Sequence, residues 1–160
     1  MRVDRLIGYL FVKGDSPWKT FEEWLAYVKK NPDNFAIAAV PSAKVTISKI
    51  NERAGIQSKV VPFDGFSQSA NALLGGHVQG AILTASAEII PLIEEGTIRP
   101  LFSTSGVSLN DVPTLKAKGI PLEENKMTGI IAPKGIPKDV LDILHTTLKR
   151  RWMIRIFKRK

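Results

Sequence analysis

Three loops that carry hydroxyl side chains each lie between a short apolar run and a helical pattern. They are residues 41–44 (PSAK), 63–67 (FDGFS) and 84–86 (TAS). Helix N-termini have free backbone N–H groups and a partial positive charge. If the preceding strands are parallel, the loops gather at one sheet edge, where hydroxyls, N–H groups and the Lys44 ammonium would suit a carboxylate. The alternative is three capped helices that bind no ligand.

Residues 60–80 show how such a loop is positioned. Val60 and Val61 are β-branched and predict a buried strand. Asp64-Gly65 is typical of a turn in which the glycine takes a positive φ, and Ser67 is expected to cap the helix that follows. Gly75-Gly76 is expected to end that helix.

The rest of the chain alternates between strand and helix patterns. Predicted strands cover residues 6–12, 35–40, 59–62, 80–84, 98–104 and 127–132. Predicted helices begin at a Thr20–Glu23 capping box, run to Ala54 from a cap at Ser42, run from Ser86 to Glu95, and begin again at Pro137. Residues 105–122 are expected to be irregular. The alternation between residues 35 and 104 indicates an α/β fold with a parallel or mostly parallel sheet and helices on its faces.

The composition is that of a globular protein rather than a disordered one. The chain has 160 residues, 44% of them hydrophobic, and no cysteine, which excludes disulfides and thiolate sites. No apolar run approaches the ~20 residues of a membrane-spanning helix, and no signal peptide is visible at the start.

The formal net charge of +8 is concentrated at the C-terminus, where 7 of the 23 basic residues lie between Lys149 and Lys160 without an acid. The remainder of the chain is nearly neutral. Apolar residues interleave with the basic ones in this tail, so an amphipathic helix on a membrane or nucleic acid is one interpretation. A solvated tail is the favoured one, and no nucleic-acid partner is expected.

No catalytic constellation is visible. His77 and His145 lie far apart, and neither has a Ser and an Asp nearby in a triad-like order. Two histidines without cysteine do not form a metal-ligand pattern, and no glycine-rich phosphate loop follows a strand. The sequence therefore predicts a protein that is not an enzyme and that holds no metal or cofactor.

Six short motifs resemble a known family when they are taken in order. They are DSPWKT (15–20), VPFDG (61–65), ALLGGHV (72–78), GTIR (96–99), DVPTL (111–115) and GIIAPKGIP (129–137). Together they resemble the substrate-binding proteins of tripartite tricarboxylate transporters, the Bug family, over residues 7 to 149.

The resemblance implies a type II periplasmic binding-protein fold, with two α/β lobes that close on a ligand. It places the second, inserted lobe at residues 13–104, part of the first lobe at 1–12 and 105–150, and the basic tail at 151–160 outside the family pattern. It implies an extracytoplasmic, periplasmic receptor that delivers a small organic carboxylate to membrane permease subunits. The implied ligand contacts come from the loops before the helices: Ser42, Ala43, Lys44, Phe63, Gly65 and Ser86.

The chain departs from the family pattern in two ways. The signal sequence and first half of lobe one with which such proteins begin are not in this sequence, so a truncated member is expected. A half-lobe leaves apolar faces open, which favours dimerisation. Lys44 stands where family members often carry His. The alternative with the same fold class is the effector-binding domain of a LysR-type regulator, which predicts an upstream helix-turn-helix that this sequence does not contain.

Overall fold

The computed structural model describes residues 2–108, 111–124 and 126–157, with side chains for 6–108, 111–124, 126 and 130–150. Two compact units are present. The first comprises Ile7–Lys126, and the second consists of the described residues on either side of it.

Between residues 8 and 103 the elements follow the predicted alternation. A strand at residues 2–6 was not predicted, and the last strand ends at residue 129 rather than 132. Val60 and Val61 lie half-buried on an edge strand rather than in a buried one. The strands are β1 (Arg2–Leu6), β2 (Gly8–Lys13), β3 (Ala36–Ala39), β4 (Lys59–Pro62), β5 (Gly80–Thr84), β6 (Ile98–Ser103) and β7 (Lys126–Gly129). The helices are α1 (Phe21–Lys30), α2 (Pro41–Ala54), α3 (Phe66–Leu74), α4 (Ile90–Glu94) and α5 (Lys138–Phe157).

The first unit contains a five-stranded sheet in the order β4-β3-β5-β2-β6. β3 pairs in parallel with both β4 and β5, whereas β2 runs antiparallel to β5 and β6. Gly8 at the start of β2 lies opposite Thr84 at the end of β5. The α/β class is therefore confirmed, and the sheet is mixed because one central strand is reversed.

β2 is buried on both of its faces, which explains its uninterrupted apolar run. Leu10 and Val12 belong to one core cluster, while Tyr9 and Phe11 belong to the other. Phe11, Leu10 and Val12 have no exposed surface.

The two core clusters place helices on opposite faces of the sheet, as the alternation predicted. One face packs against α1 and α2 through a group of large side chains: Phe21, Trp24, Phe35, Ile47, Phe102 and Leu115. The other packs against α3 and the segment that leads into α4, through Ala70, Leu73, Leu83 and Ile89.

The predicted capping box of α1 is confirmed. The Thr20 hydroxyl accepts from the Glu23 N–H at 3.2 Å, and the Glu23 carboxylate accepts from the Thr20 N–H at 3.2 Å. Two of the orphan donors at this helix start are thereby satisfied by side chains.

The caps predicted for the next helices are wrong. α2 begins at Pro41 with Val40 as its N-cap, and no side chain caps it. Proline suits the first helical position because its missing N–H needs no partner there. α3 has Gly65 as its N-cap, also without a side-chain cap. Ser42 and Ser67 therefore lie inside the first turns of their helices rather than before them.

The helix predicted from Ser86 to Glu95 is also shorter than expected. The Ser86 carbonyl accepts from the N–H groups of both Ile89 and Ile90, which closes a turn before the helix starts. α4 then runs only from Ile90 to Glu94, with Pro91 in its first turn.

The described residues of the predicted irregular segment, 105–108 and 111–122, form no helix or strand and return along the sheet. The Ser103 N–H donates to the Pro113 carbonyl at 2.8 Å, and Leu115 is fully buried. Lys118 donates to the Glu22 carboxylate on α1, and this contact holds the pKa of Glu22 below its ordinary value.

A polar contact ties the end of this returning segment to α2. The Thr46 hydroxyl, which is fully buried, donates to Oε1 of Glu124 at 2.6 Å. The Glu124 N–H donates to the Thr104 carbonyl at 2.8 Å, and its carboxylate forms an ion pair with Lys126 at 3.2 Å. One glutamate thus joins α2, the residue after β6 and Lys126, all within the first unit.

The second unit contains a two-stranded sheet of β1 and β7 and the long helix α5. α5 extends through residue 157, into the segment expected to be a basic tail; residues 158–160 of that tail lie outside the described residues. No helix of the described chain has the length and apolarity to cross a membrane. The predicted lobe boundaries at residues 13 and 104 stay a prediction, and the compact units divide at Ile7 and Lys126 instead.

We expect Thr20→Ala to lower the free energy of unfolding by about 1 kcal/mol, because it leaves the Glu23 N–H without an acceptor. Urea unfolding measures the loss, and Thr20→Ser is the control because it keeps the hydroxyl. An alanine variant as stable as the serine variant would contradict a role for the capping hydroxyl.

We expect Thr46→Val to cost about 1.5–3 kcal/mol, because it removes a hydrogen bond to a charged, mostly buried carboxylate without changing the side-chain shape. Thr46→Ser keeps the donor and should lose less stability by the same measurement. Equal loss in the two variants would show that packing rather than the contact with Glu124 matters at this position.

Candidate functional site

The three loops singled out from the sequence lie at one edge of the five-stranded sheet. They follow β3, β4 and β5, which are parallel neighbours with β3 in the middle. The carboxyl ends of the three strands therefore face the same way, and we refer to this side of the sheet as the strand-end edge. It is the position where α/β sheets usually hold small ligands.

Residues 42–44 lie in the first turn of α2, but they do not offer the same groups. Ser42 and Lys44 are exposed, so the hydroxyl and the ammonium are accessible. Ala43 is 1% exposed, its side chain packs in the core, and its N–H donates to the Val40 carbonyl. Of the three predicted contacts, Ser42 and Lys44 therefore have free functional groups, and Ala43 supports the turn.

The loop before α3 holds Phe63 and Gly65. Phe63 packs against the second core cluster and extends the ladder between β3 and β4, donating its N–H to the Ala39 carbonyl. Gly65 has φ −148°, so the positive φ predicted for it is wrong, and a Cβ would meet nothing within 4 Å there. Gly65 leaves the first turn of α3 open instead of making a strained turn.

That first turn retains backbone donors. Because the N-cap is glycine, no side chain accepts from the first N–H groups of α3. Gln68 reaches back with its side-chain oxygen to the Asp64 N–H at 3.3 Å, which orders the loop from inside the helix. The turn therefore presents partial positive charge at the strand-end edge.

Ser86 follows β5 in the third loop. Its N–H donates to the Thr84 carbonyl and its own carbonyl holds the turn before α4, which leaves the exposed hydroxyl as its free group. Ser86 also lines a groove between α3 and the 86–92 segment, together with Ser67 and Thr84. We call this the α3–α4 groove.

The structure contains a cluster of hydroxyl side chains at the end of β6 that was not predicted from the sequence. Thr104 and Ser105 are buried, and Thr104 donates to the Gly8 carbonyl with both its backbone N–H and its hydroxyl. The hydroxyls of Ser103 and Ser105 both donate to the Val107 carbonyl. These groups satisfy one another, so the cluster closes the sheet edge rather than binding a ligand. The irregular run of hydroxyl residues after β6 was the available signal.

The three loops contain two ionisable side chains, the cation Lys44 and the acid Asp64. A second acid, Glu88, lies two residues beyond the third loop. In the part of the chain that the structure describes, no group of three or more His, Cys, Asp or Glu could hold a metal ion. His77 lies exposed beyond the C-terminal end of α3, away from the strand-end edge, and a Cβ on Gly75 would lie 3.0 Å from its ring.

A family model described as "Tripartite tricarboxylate transporter family receptor" matches residues 3–157. The match extends past residue 149, where the resemblance read from the motifs ends. A curated protein of Cupriavidus necator, "UPF0065 protein in gbd 5'region", is 35% identical over 155 residues, covering 91% of this chain and 46% of that protein.

The solved structures that are similar to the chain include the following three. A TctC solute-binding protein from Polaromonas has 25% identity and a TM-score of 0.74, with 95% of this chain and 55% of that one covered. Rpa4515 of R. palustris, solved with adipate, has 24% identity and a TM-score of 0.80 over 92% and 51%. MatC from Rhodopseudomonas palustris, with bound malate, has 22% identity and a TM-score of 0.77 over 93% and 53%.

The chain thus spans about half the length of the proteins it matches. The periplasmic binding-protein fold expected from the motifs is confirmed over that half, and the alternative of a LysR-type effector domain has no support among these matches. On the strength of the family model and the solved structures, this chain belongs to the tripartite tricarboxylate transporter receptor family.

Proposed function

We propose that this chain binds a small organic carboxylate at its strand-end edge, as part of an extracytoplasmic receptor that delivers the ligand to the permease of a tripartite transporter. The single observation that carries the proposal is the parallel order β4-β3-β5, which sets two uncapped helix starts and the Ser42, Lys44 and Ser86 side chains along one edge. Adipate and malate, the ligands named for two similar structures, are both small carboxylates.

The chemistry of the edge suits an anion. The first turn of α3 presents N–H donors without a side-chain acceptor. In the first turn of α2, Pro41 has no N–H and the N–H groups of Ala43 and Lys44 donate to the Val40 carbonyl, so this turn offers the Ser42 N–H and hydroxyl together with the full positive charge of Lys44. Backbone N–H groups and an ammonium donate hydrogen bonds but cannot act as nucleophiles in this arrangement. We therefore propose capture of the ligand without chemical change, which agrees with the receptor role of the family.

The six predicted contact residues enter the proposal with different roles. Ser42 and Lys44 contact the carboxylate directly, and Ser86 contacts it through its hydroxyl from the third loop. Gly65 keeps the α3 turn open, while Ala43 and Phe63 fix the two loops by packing.

We expect Lys44→Gln to weaken binding of every carboxylate about two- to fivefold, the range of an exposed charge pair, with a smaller loss at high salt. Isothermal titration measures the dissociation constants, and Lys49→Gln on the same helix is the control because Lys49 is exposed but farther from the helix start. If Ser42→Ala and Lys44→Gln combined leave all affinities unchanged, the assignment of the site to α2 is wrong.

Association through the second unit is a further part of the proposal. α5 and the residues before it expose large apolar side chains, led by Ile131 at 95% and Ile143 at 65%. A helix that is apolar on several sides is normally buried against another element. A second polypeptide on this surface would cover it.

We expect the chain to associate at micromolar concentrations and Ile131→Glu with Ile143→Glu to return it to monomers, since the charges would be desolvated in the contact. Sedimentation velocity over a concentration series measures this, and Ala26→Glu on the exposed side of α1 is the control. A wild-type chain that stays monomeric at every concentration would exclude dimerisation.

A further inference from the structure

The α3–α4 groove is an open, mostly apolar compartment of about 550 Å³ in the first unit. Its walls are built from the exposed side of α3, the end of β5 and the segment leading into α4. The apolar lining side chains are Phe66, Ala70, Leu74, Leu83, Ile89 and Leu92. Phe66 keeps 48% of its surface exposed, which makes it the accessible aromatic wall.

One end of this groove opens at the strand-end edge. Thr84 is the last residue of β5, Ser86 follows in the loop, and Ser67 lies in the first turn of α3; all three line the groove. A ligand whose carboxylate lies at the edge can therefore place the rest of its body between α3 and the 86–92 segment without displacing the core.

The charged residues that line the groove determine which ligands can place the part beyond their carboxylate in it. Glu88 is the only ionisable side chain among the lining residues, it is exposed, and no ion pair neutralises it within the described chain. Among the described residues that line the groove, there is no lysine, arginine or histidine to balance a second negative charge. A carboxylate placed beside Glu88 would meet like charge, which disfavours the ionised form.

We propose that the preferred ligand is a monocarboxylate with an unbranched apolar body, such as a medium-chain fatty acid. Its tail lies in the α3–α4 groove, and Glu88 discriminates against ligands that carry a second carboxylate at the far end. This inference rests on the proposed function, because it assumes that the ligand carboxylate is held at the strand-end edge. In this proposal the apolar groove determines the length of the preferred ligand and Glu88 determines its charge, whereas the contacts with the carboxylate determine neither.

The magnitude expected from tail burial is measurable. Each methylene transferred from water into an apolar environment raises affinity about fourfold, which corresponds to about 0.8 kcal/mol. The groove is open on one side, so two additional methylenes should raise affinity about tenfold, which is less than the effect of burying both completely.

The test is isothermal titration of the 160-residue chain with butanoate, hexanoate, adipate and malate. Hexanoate and adipate are a matched pair, since they have six carbons each and differ by one terminal carboxylate. Hexanoate should bind about tenfold more tightly than butanoate, and more tightly than adipate and malate. Adipate or malate binding as tightly as hexanoate would overturn the inference while leaving the proposed function in place. Failure of all four acids to bind would overturn both.

Two variants separate the groove from the edge. Ala87→Trp fills the groove from an exposed lining position and should lower hexanoate affinity about tenfold, while Ala26→Trp on α1, on the opposite face of the sheet, is the matched control. Glu88→Gln should narrow the preference for hexanoate over adipate, because it removes the like charge. Unchanged hexanoate binding in Ala87→Trp, or an unchanged preference in Glu88→Gln, would contradict the role assigned to the groove.

Discussion

The parallel pairing of β3 with both β4 and β5 is the constraint on which the candidate site depends. In the observed register, Ile37 of β3 lies opposite Val60 of β4 on one side and opposite Gly80 of β5 on the other. Since each of these strands is followed by a loop, the loops are forced to the same edge of the sheet. The burial of β3 between its neighbours makes this arrangement costly to alter, because a register shift would expose core residues.

The reversed strand β2 lies between β5 and β6 in the sheet. It brings Gly8 against the end of β5, and the close approach of Thr104 to Gly8 leaves no room for a side chain there: a Cβ would lie 2.8 Å from the Thr104 hydroxyl. The hydroxyl groups at the end of β6 form hydrogen bonds within the protein at this part of the edge and are therefore not free to bind a ligand. The same edge therefore has two parts, one satisfied internally and one with free donors at α2 and α3.

At the part of the strand-end edge with free donors, electrostatic attraction and apolar packing act on different parts of a ligand. The helix starts and Lys44 lie where an anion would be attracted, whereas the adjoining groove is lined mainly by hydrocarbon with a single acid. Such a combination is typical of small-molecule sites, in which a few polar groups fix orientation and apolar walls contribute affinity. The hydrogen bond between Thr46 and Glu124 ties α2 to the returning segment.

The sequence by itself determined the strand and helix alternation, the capping box at Thr20 and the glycine stop after α3, because each depends on local residue patterns. It also indicated the family through motifs spread over most of the chain. It misplaced the helix caps at Ser42 and Ser67, since proline and glycine compete for the neighbouring positions and the outcome depends on the backbone path. Only the tertiary structure decided that β2 runs antiparallel, that Ala43 is buried while Lys44 is free, and that Glu88 faces a groove built by residues up to 26 positions apart in the chain. These features arise from contacts between distant segments, which no local pattern of residue types encodes.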